Sequence, residues 1–71
     1  MPTISISTEY DGASASVVET KITEIIEGTV AGIEGLDSIE STSQDGRSRV
    51  TLEFSVNRDI DAAANDVRDR V

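Results

Sequence analysis

Apolar and polar positions alternate strictly over one stretch: Val50, Leu52, Phe54 and Val56 fall between Arg49, Thr51, Glu53 and Ser55. A period of two is that of a strand with one face buried and one wet, so a strand is predicted over 47–56. Asp45-Gly46 just before it tolerates the positive φ of a tight turn, which makes 36–43 the returning partner of a hairpin. A second alternation sets Ile4, Ile6, Thr8 and Tyr10 against Thr3, Ser5, Ser7 and Glu9. It predicts a strand over 3–10, entered after Pro2 and broken at Asp11-Gly12.

Between these strands the period changes. Val18, Ile22, Ile25, Ile26, Thr29 and Val30 recur at three- and four-residue intervals, with Glu19, Lys21, Glu24 and Glu27 elsewhere on the wheel. That predicts an amphipathic helix over 14–31, capped by Ser14 or by the Ser16…Glu19 box and stopped at Gly32 or Gly35. After 56, Asn57 and Asp59 offer caps, and Ile60, Ala63, Ala64, Val67 and Val71 form the stripe of a second helix over 59–71.

The order β-α-β-β-α predicts an α+β fold: a ferredoxin-like split β-α-β two-layer sandwich that lacks its final strand, spanning 1–71 as one partial domain. The third strand enters the gap between the first two, antiparallel to both. Both helices then cover one face, with Ile4, Ile6, Val50, Leu52 and Phe54 beneath Ile22, Ile25, Ile26, Ala63 and Val67. The opposite face carries Ser5, Ser7, Glu9, Arg49, Thr51 and Glu53, too polar for a core, and is expected to meet solvent, a cavity or a partner. With no fourth strand, strand one keeps a free edge, and self-association of the chain through that edge is expected.

Composition narrows the chemistry. At 71 residues the chain holds one small, marginally stable domain, and with Tyr10 and Phe54 as its sole aromatics the core is aliphatic. There is no Cys and no His, which excludes disulfides, thiolate nucleophiles, imidazole bases and the usual zinc ligands. Fourteen acids against six bases give a net charge of −8, so nucleic acid and anionic lipid are not expected as partners. No apolar run approaches the ~20 residues of a membrane span and no signal peptide is evident, so the isolated chain is expected to be soluble. Asp59-Ile60-Asp61 has the opening spacing of a calcium loop, but an alanine run follows where further ligands are needed; a helix cap accounts for it better. Ser41 and Ser43 near Arg47 have no general base beside them, and Gly32-Ile33-Glu34-Gly35 is too short to cradle phosphate. No catalytic residue, metal or cofactor is expected.

Tyr10-Asp11-Gly12-Ala13-Ser14-Ala15-Ser16-Val17-Val18-Glu19 resembles the Tyr-Pro-Gly-Ala-(Ser/Asp)-Ala…Val-Glu signature of resistance–nodulation–division efflux transporters. Ile26-Glu27 with Gly32-Ile33-Glu34-Gly35-Leu36 is similar to that family's Ile-Glu…Gly-Ile-x-Gly-Val/Leu run. Ser41-Thr42-Ser43-Gln44-Asp45-Gly46-Arg47-Ser48 with Val50-Thr51-Leu52-Glu53-Phe54 is similar to its Ser-x-Ser-x-x-Gly-x-Ser…Ile-Thr-Leu-x-Phe hairpin, and Asp59-Ile60-Asp61-Ala62-Ala63 through Val71 fits the helix that follows. Asp11 stands where the family usually has Pro, which gives up a fixed φ but keeps a turn-forming residue before Gly12.

The resemblance implies the start of the first porter subdomain, periplasmic, in a proton-driven trimer of the bacterial inner membrane. That transporter works with a periplasmic adaptor and an outer-membrane channel and exports hydrophobic or amphiphilic drugs. It implies the drug-exporting branch rather than the metal-exporting one, since Met1 is the chain's one methionine. It also implies that Ser7 and Arg49 line the substrate pocket, Arg49 replacing an uncharged amide of the better-known members. The proton-relay acids of the family lie in transmembrane helices, so this segment has no activity alone. The alternative is a free-standing ferredoxin-like module that binds a small ligand or regulates a partner.

Overall fold

A computed structural model describes residues 2–70. In chain order the elements are β1 (Thr3–Glu9), α1 (Ala15–Val18), a π-helical segment (Glu19–Thr23), α2 (Glu24–Val30), β2 (Leu36–Gln44), β3 (Arg47–Phe54) and α3 (Ile60–Arg70). The sheet order is β1-β3-β2, and β3 runs antiparallel to both neighbours. The chain is therefore an α+β unit with a three-stranded antiparallel sheet, and β3 is its centre.

The core lies between the sheet and the helices. Val50, Leu52 and Phe54 of β3 are fully buried against Ile26, Val30, Ile33, Ala63 and Val67, with Ile4, Ile6, Ile22, Leu36 and Ile39 at the margin. In β2 a bulge lets Leu36 oppose Phe54 and Ser38 oppose Glu53, so Asp37 is the extra residue. That shift lets Leu36 and Ile39, three apart, both reach the core, which strict alternation would forbid.

The two ends of the sheet are tied differently. At one end the 10–14 turn docks onto the β2–β3 hairpin: Tyr10 N–H donates to Gly46 O at 2.8 Å and Gly46 N–H to Ala13 O at 2.9 Å. Asp45 Oδ1 accepts from Ala15 N–H at 2.7 Å, while Ser14, the N-cap, accepts from Val17 N–H at 3.3 Å. One orphan amide of the helix is thus capped from within and another by a residue thirty positions away. At the other end Arg58 is the tie. Its Nε donates to Glu34 O at 2.9 Å, it pairs with Asp66 of α3, and its stem lies against Gly35. Gly35 has φ +81° and a Cβ there would sit 2.9 Å from Arg58 Cδ, so both the turn and the packing call for glycine.

Several expectations are corrected. Val56 is 74% exposed because β3 ends at Phe54, where Ser55 N–H leaves the ladder to bond Gly35 O. Tyr10 lies beyond β1 in the turn and is half exposed. Ile25, expected in the core, is 59% exposed. In an α-helix each residue rotates the side-chain direction by about 100°, but the π turn, closed by Glu24 N–H to Glu19 O, advances less per residue. The buried face therefore steps from Val18 to Thr23, then to Ile26 and Val30, and Ile25 swings outward. Val71, assigned to the stripe of the last helix, lies outside the described residues.

Candidate functional site

The sheet face turned away from the helices is built by the odd residues of β1 and β3 and the even residues of β2. Registered pairing sets them in rows across the strands: Glu9, Arg47 and Gln44; Ser7, Arg49 and Thr42; Ser5, Thr51 and Glu40; Thr3, Glu53 and Ser38. Ser7 and Arg49, singled out from the sequence, are direct cross-strand partners, and both are exposed. Thr42 completes their row, and it was not singled out.

Few bonds fix this face. Arg47 meets Glu9 at 3.5 Å with both side chains mostly in solvent, a pairing that contributes little. Ser38 donates to Glu53 at 3.3 Å, and Ser5 and Thr51 hydroxyls are 3.5 Å apart. Among the described residues Arg49 has no ion-pair partner. Arg47 and Arg49 stand toward the hairpin end beside Glu9, whereas Glu40 and Glu53 stand toward the other end with no arginine in their rows. Thr42, Gln44, Arg47 and Arg49 line a recess of 330 Å³ at the hairpin end.

The helix-facing side holds a polar cluster that alternation did not announce. Thr23 and Ser48 are fully buried with hydroxyls 2.7 Å apart; Thr23 and Ser43 are 2.8 Å apart, and Ser43 donates to Glu19 at 3.0 Å. The proton order follows from valence. A carboxylate only accepts, so Ser43 spends its one proton on Glu19, Thr23 must donate to Ser43, and Ser48 must donate to Thr23. The π turn brings Thr23 over these strand hydroxyls, and an unbroken α-helical wheel hides that.

The other candidates are structural. Asp59 Oδ1 accepts from Asp61 N–H at 3.3 Å and its carbonyl from Ala63 N–H at 3.0 Å, so it caps α3. Ser41 donates to Glu27 at 2.9 Å on the helix side, whereas Arg47 stands on the opposite face. Among the described residues no group of three or more His, Cys, Asp or Glu is placed to hold a metal, and no helix is long and apolar enough to cross a membrane.

The chain is similar to known proteins. Residues 1–71 match the AcrB/AcrD/AcrF family. The multidrug resistance protein MdtF of Escherichia coli K12 is 37% identical over 71 residues, covering 99% of this chain and 7% of the relative. MdtC of Enterobacter sp. (strain 638) is 37% identical over 67 residues, 94% of this chain and 6% of the relative. The swarming motility protein SwrC of Bacillus subtilis is 36% identical over 63 residues, 89% and 6%. The crystal structure of a heavy metal efflux pump superposes with a TM-score of 0.92 at 26% identity, covering 97% of this chain and 7% of that one. The chain thus spans only 6–7% of the length of the proteins it matches.

Proposed function

The chain belongs to the AcrB/AcrD/AcrF family of resistance–nodulation–division efflux transporters, and from that premise we propose that it is part of the first periplasmic porter subdomain of a proton-driven multidrug exporter. Its helix-free sheet face is one wall of the substrate path, with Ser7 and Arg49 turned toward the substrate. The observation that carries this is the face itself. It is solvent-open, uncovered by the helices and hydroxyl-rich, with Ser7, Arg49 and Thr42 side by side across all three strands. A heavy metal efflux pump shares this fold, so the fold alone does not choose the branch. The 37% identity to MdtF and MdtC, both multidrug resistance proteins, supports drugs as the cargo. A ferredoxin-like plan is completed by one more strand along β1, supplied in the longer protein. The trimer, adaptor and outer-membrane channel are partners of that longer protein in the inner membrane.

Ser7→Trp in the full-length transporter tests the wall. Uptake of several lipophilic dyes and drug susceptibility are measured in cells that express equal amounts of protein. Efflux should change for some substrates and not others; unchanged efflux of every substrate would overturn the proposal. In the chain alone, the free edge of β1 is proposed to pair with a second copy. The described bond from Phe54 N–H to Pro2 O sets the ladder phase, so Thr3, Ser5, Ser7 and Glu9 point their N–H groups outward.

A further inference from the structure

The recess formed by Thr42, Gln44, Arg47 and Arg49 gathers two cations with an amide and a hydroxyl on the open sheet face. Two of the chain's six bases lie two residues apart on one face of the central strand, so their Cα atoms are about 6.5–7 Å from each other. Arg47 is shared with Glu9, but Arg49 keeps all its guanidinium donors free among the described residues. Gln44 and Thr42 add an amide and a hydroxyl from the neighbouring strand. A planar guanidinium with free donors fits a carboxylate through two parallel hydrogen bonds, and the flanking amide and hydroxyl can serve its remaining lone pairs.

We infer that this recess is an anion-recognising subsite that takes the carboxylate head of an amphiphilic substrate. The inference deepens the proposal that this face is a wall of the substrate path, and rests on it. The net charge of −8 opposes an approaching anion, yet at ~0.15 M salt the Debye length is ~8 Å, so distant acids are largely screened. The nearer charges decide, and they are arranged by row. Arg49 and Arg47 occupy two adjacent rows, and Glu9 stands at the β1 edge against Arg47. Asp11 and Asp45 lie past Arg47, with the Asp45 carboxylate accepting from Ala15 N–H, and Glu40 begins only in the row beyond Arg49. The opposite, acidic half of the face then orients the ligand, since an anionic head has one favourable end. On a single wall the tail stays in solvent, so binding by the chain alone is weak, in the millimolar range.

Three amphiphiles with one tail and different heads test this on the 71-residue chain: octanoate, octyl glucoside and octyltrimethylammonium, each below its micelle concentration. Backbone amide and arginine Nε–H resonances are followed by NMR. Octanoate should shift Thr42, Gln44, Arg47 and Arg49 saturably and more than the other two, and added NaCl should weaken it. Arg49→Gln, an exposed change that leaves the spectrum of the fold intact, should lower octanoate affinity several-fold. Glu40→Gln should leave it unchanged or raise it. Equal shifts of the outer face by all three heads would overturn the anion subsite and leave the wall standing. Shifts by octanoate that survive Arg49→Gln, or none at those four residues, would overturn the subsite outright. Head-selective shifts combined with unchanged efflux for Ser7→Trp would uphold the subsite and remove the wall.

Discussion

Replacing Thr23 by Val keeps the shape of a fully buried side chain and removes one oxygen. That oxygen stands mid-way in a chain of donors running from Ser48 through Thr23 and Ser43 to Glu19, with spacings of 2.7, 2.8 and 3.0 Å. The loss is uneven. Ser43 still donates to Glu19, and being half-buried it can recruit water in place of Thr23. Ser48, with no exposed surface, loses its only acceptor among the described residues. A buried group left unsatisfied costs about 1–3 kcal/mol, and the two bonds broken are individually worth about 0.5–1.5 kcal/mol net. Thr23→Val should therefore destabilise by roughly 2–3 kcal/mol, a large part of the stability of so small a domain. Ser48→Ala removes only the head of the chain and should cost about 1 kcal/mol. In the double variant no orphan hydroxyl remains, so its cost should fall clearly below the sum of the two. The assay is urea unfolding of the four proteins as a double-mutant cycle. Additive costs, or Thr23→Val within about 0.5 kcal/mol of the parent, would refute the directed chain of donors.

Leu52→Ala and Phe54→Ala should each lose roughly 2–5 kcal/mol in the same assay, while Thr51→Ala, on the open face, stays within about 0.5 kcal/mol; similar midpoints for all three would reverse the faces. Asp45→Ala should cost about 0.5–2 kcal/mol and raise hydrogen exchange at the amide of Ala15, with Asn at 45 restoring most of it; unchanged exchange would remove the cross-loop cap. Ser5→Pro deletes an outward donor and leaves the β1–β3 ladder whole. Sedimentation should show self-association of the parent chain that this variant abolishes, and a monomer in both cases would sink edge pairing.

Much of this molecule was legible because the signals are local. Alternation in Arg49–Phe54 tells which side chains share a face, and Asp45-Gly46 and Asp59 mark a turn and a cap, from a few neighbouring residues alone. Both candidate wall residues stand on the predicted face, since parity in a strand is a matter of counting. What the sequence by itself determined is thus the order of elements, the apolar face of the central strand and the polarity of its reverse. The tertiary structure decided the rest. Whether the helix continues as α or inserts a π turn depends on what its buried face meets, here the hydroxyls of Ser43 and Ser48, far along the chain. Ile25 faces solvent for that reason: one wider turn re-aims every later side chain. The same holds for the bulge at Asp37, the hold of Arg58 on Gly35, and the pairing of Ser7 with Arg49 and Thr42. Each depends on strand register or on a contact between distant segments, and a pattern of neighbours along one chain carries no information on which distant residue will stand opposite.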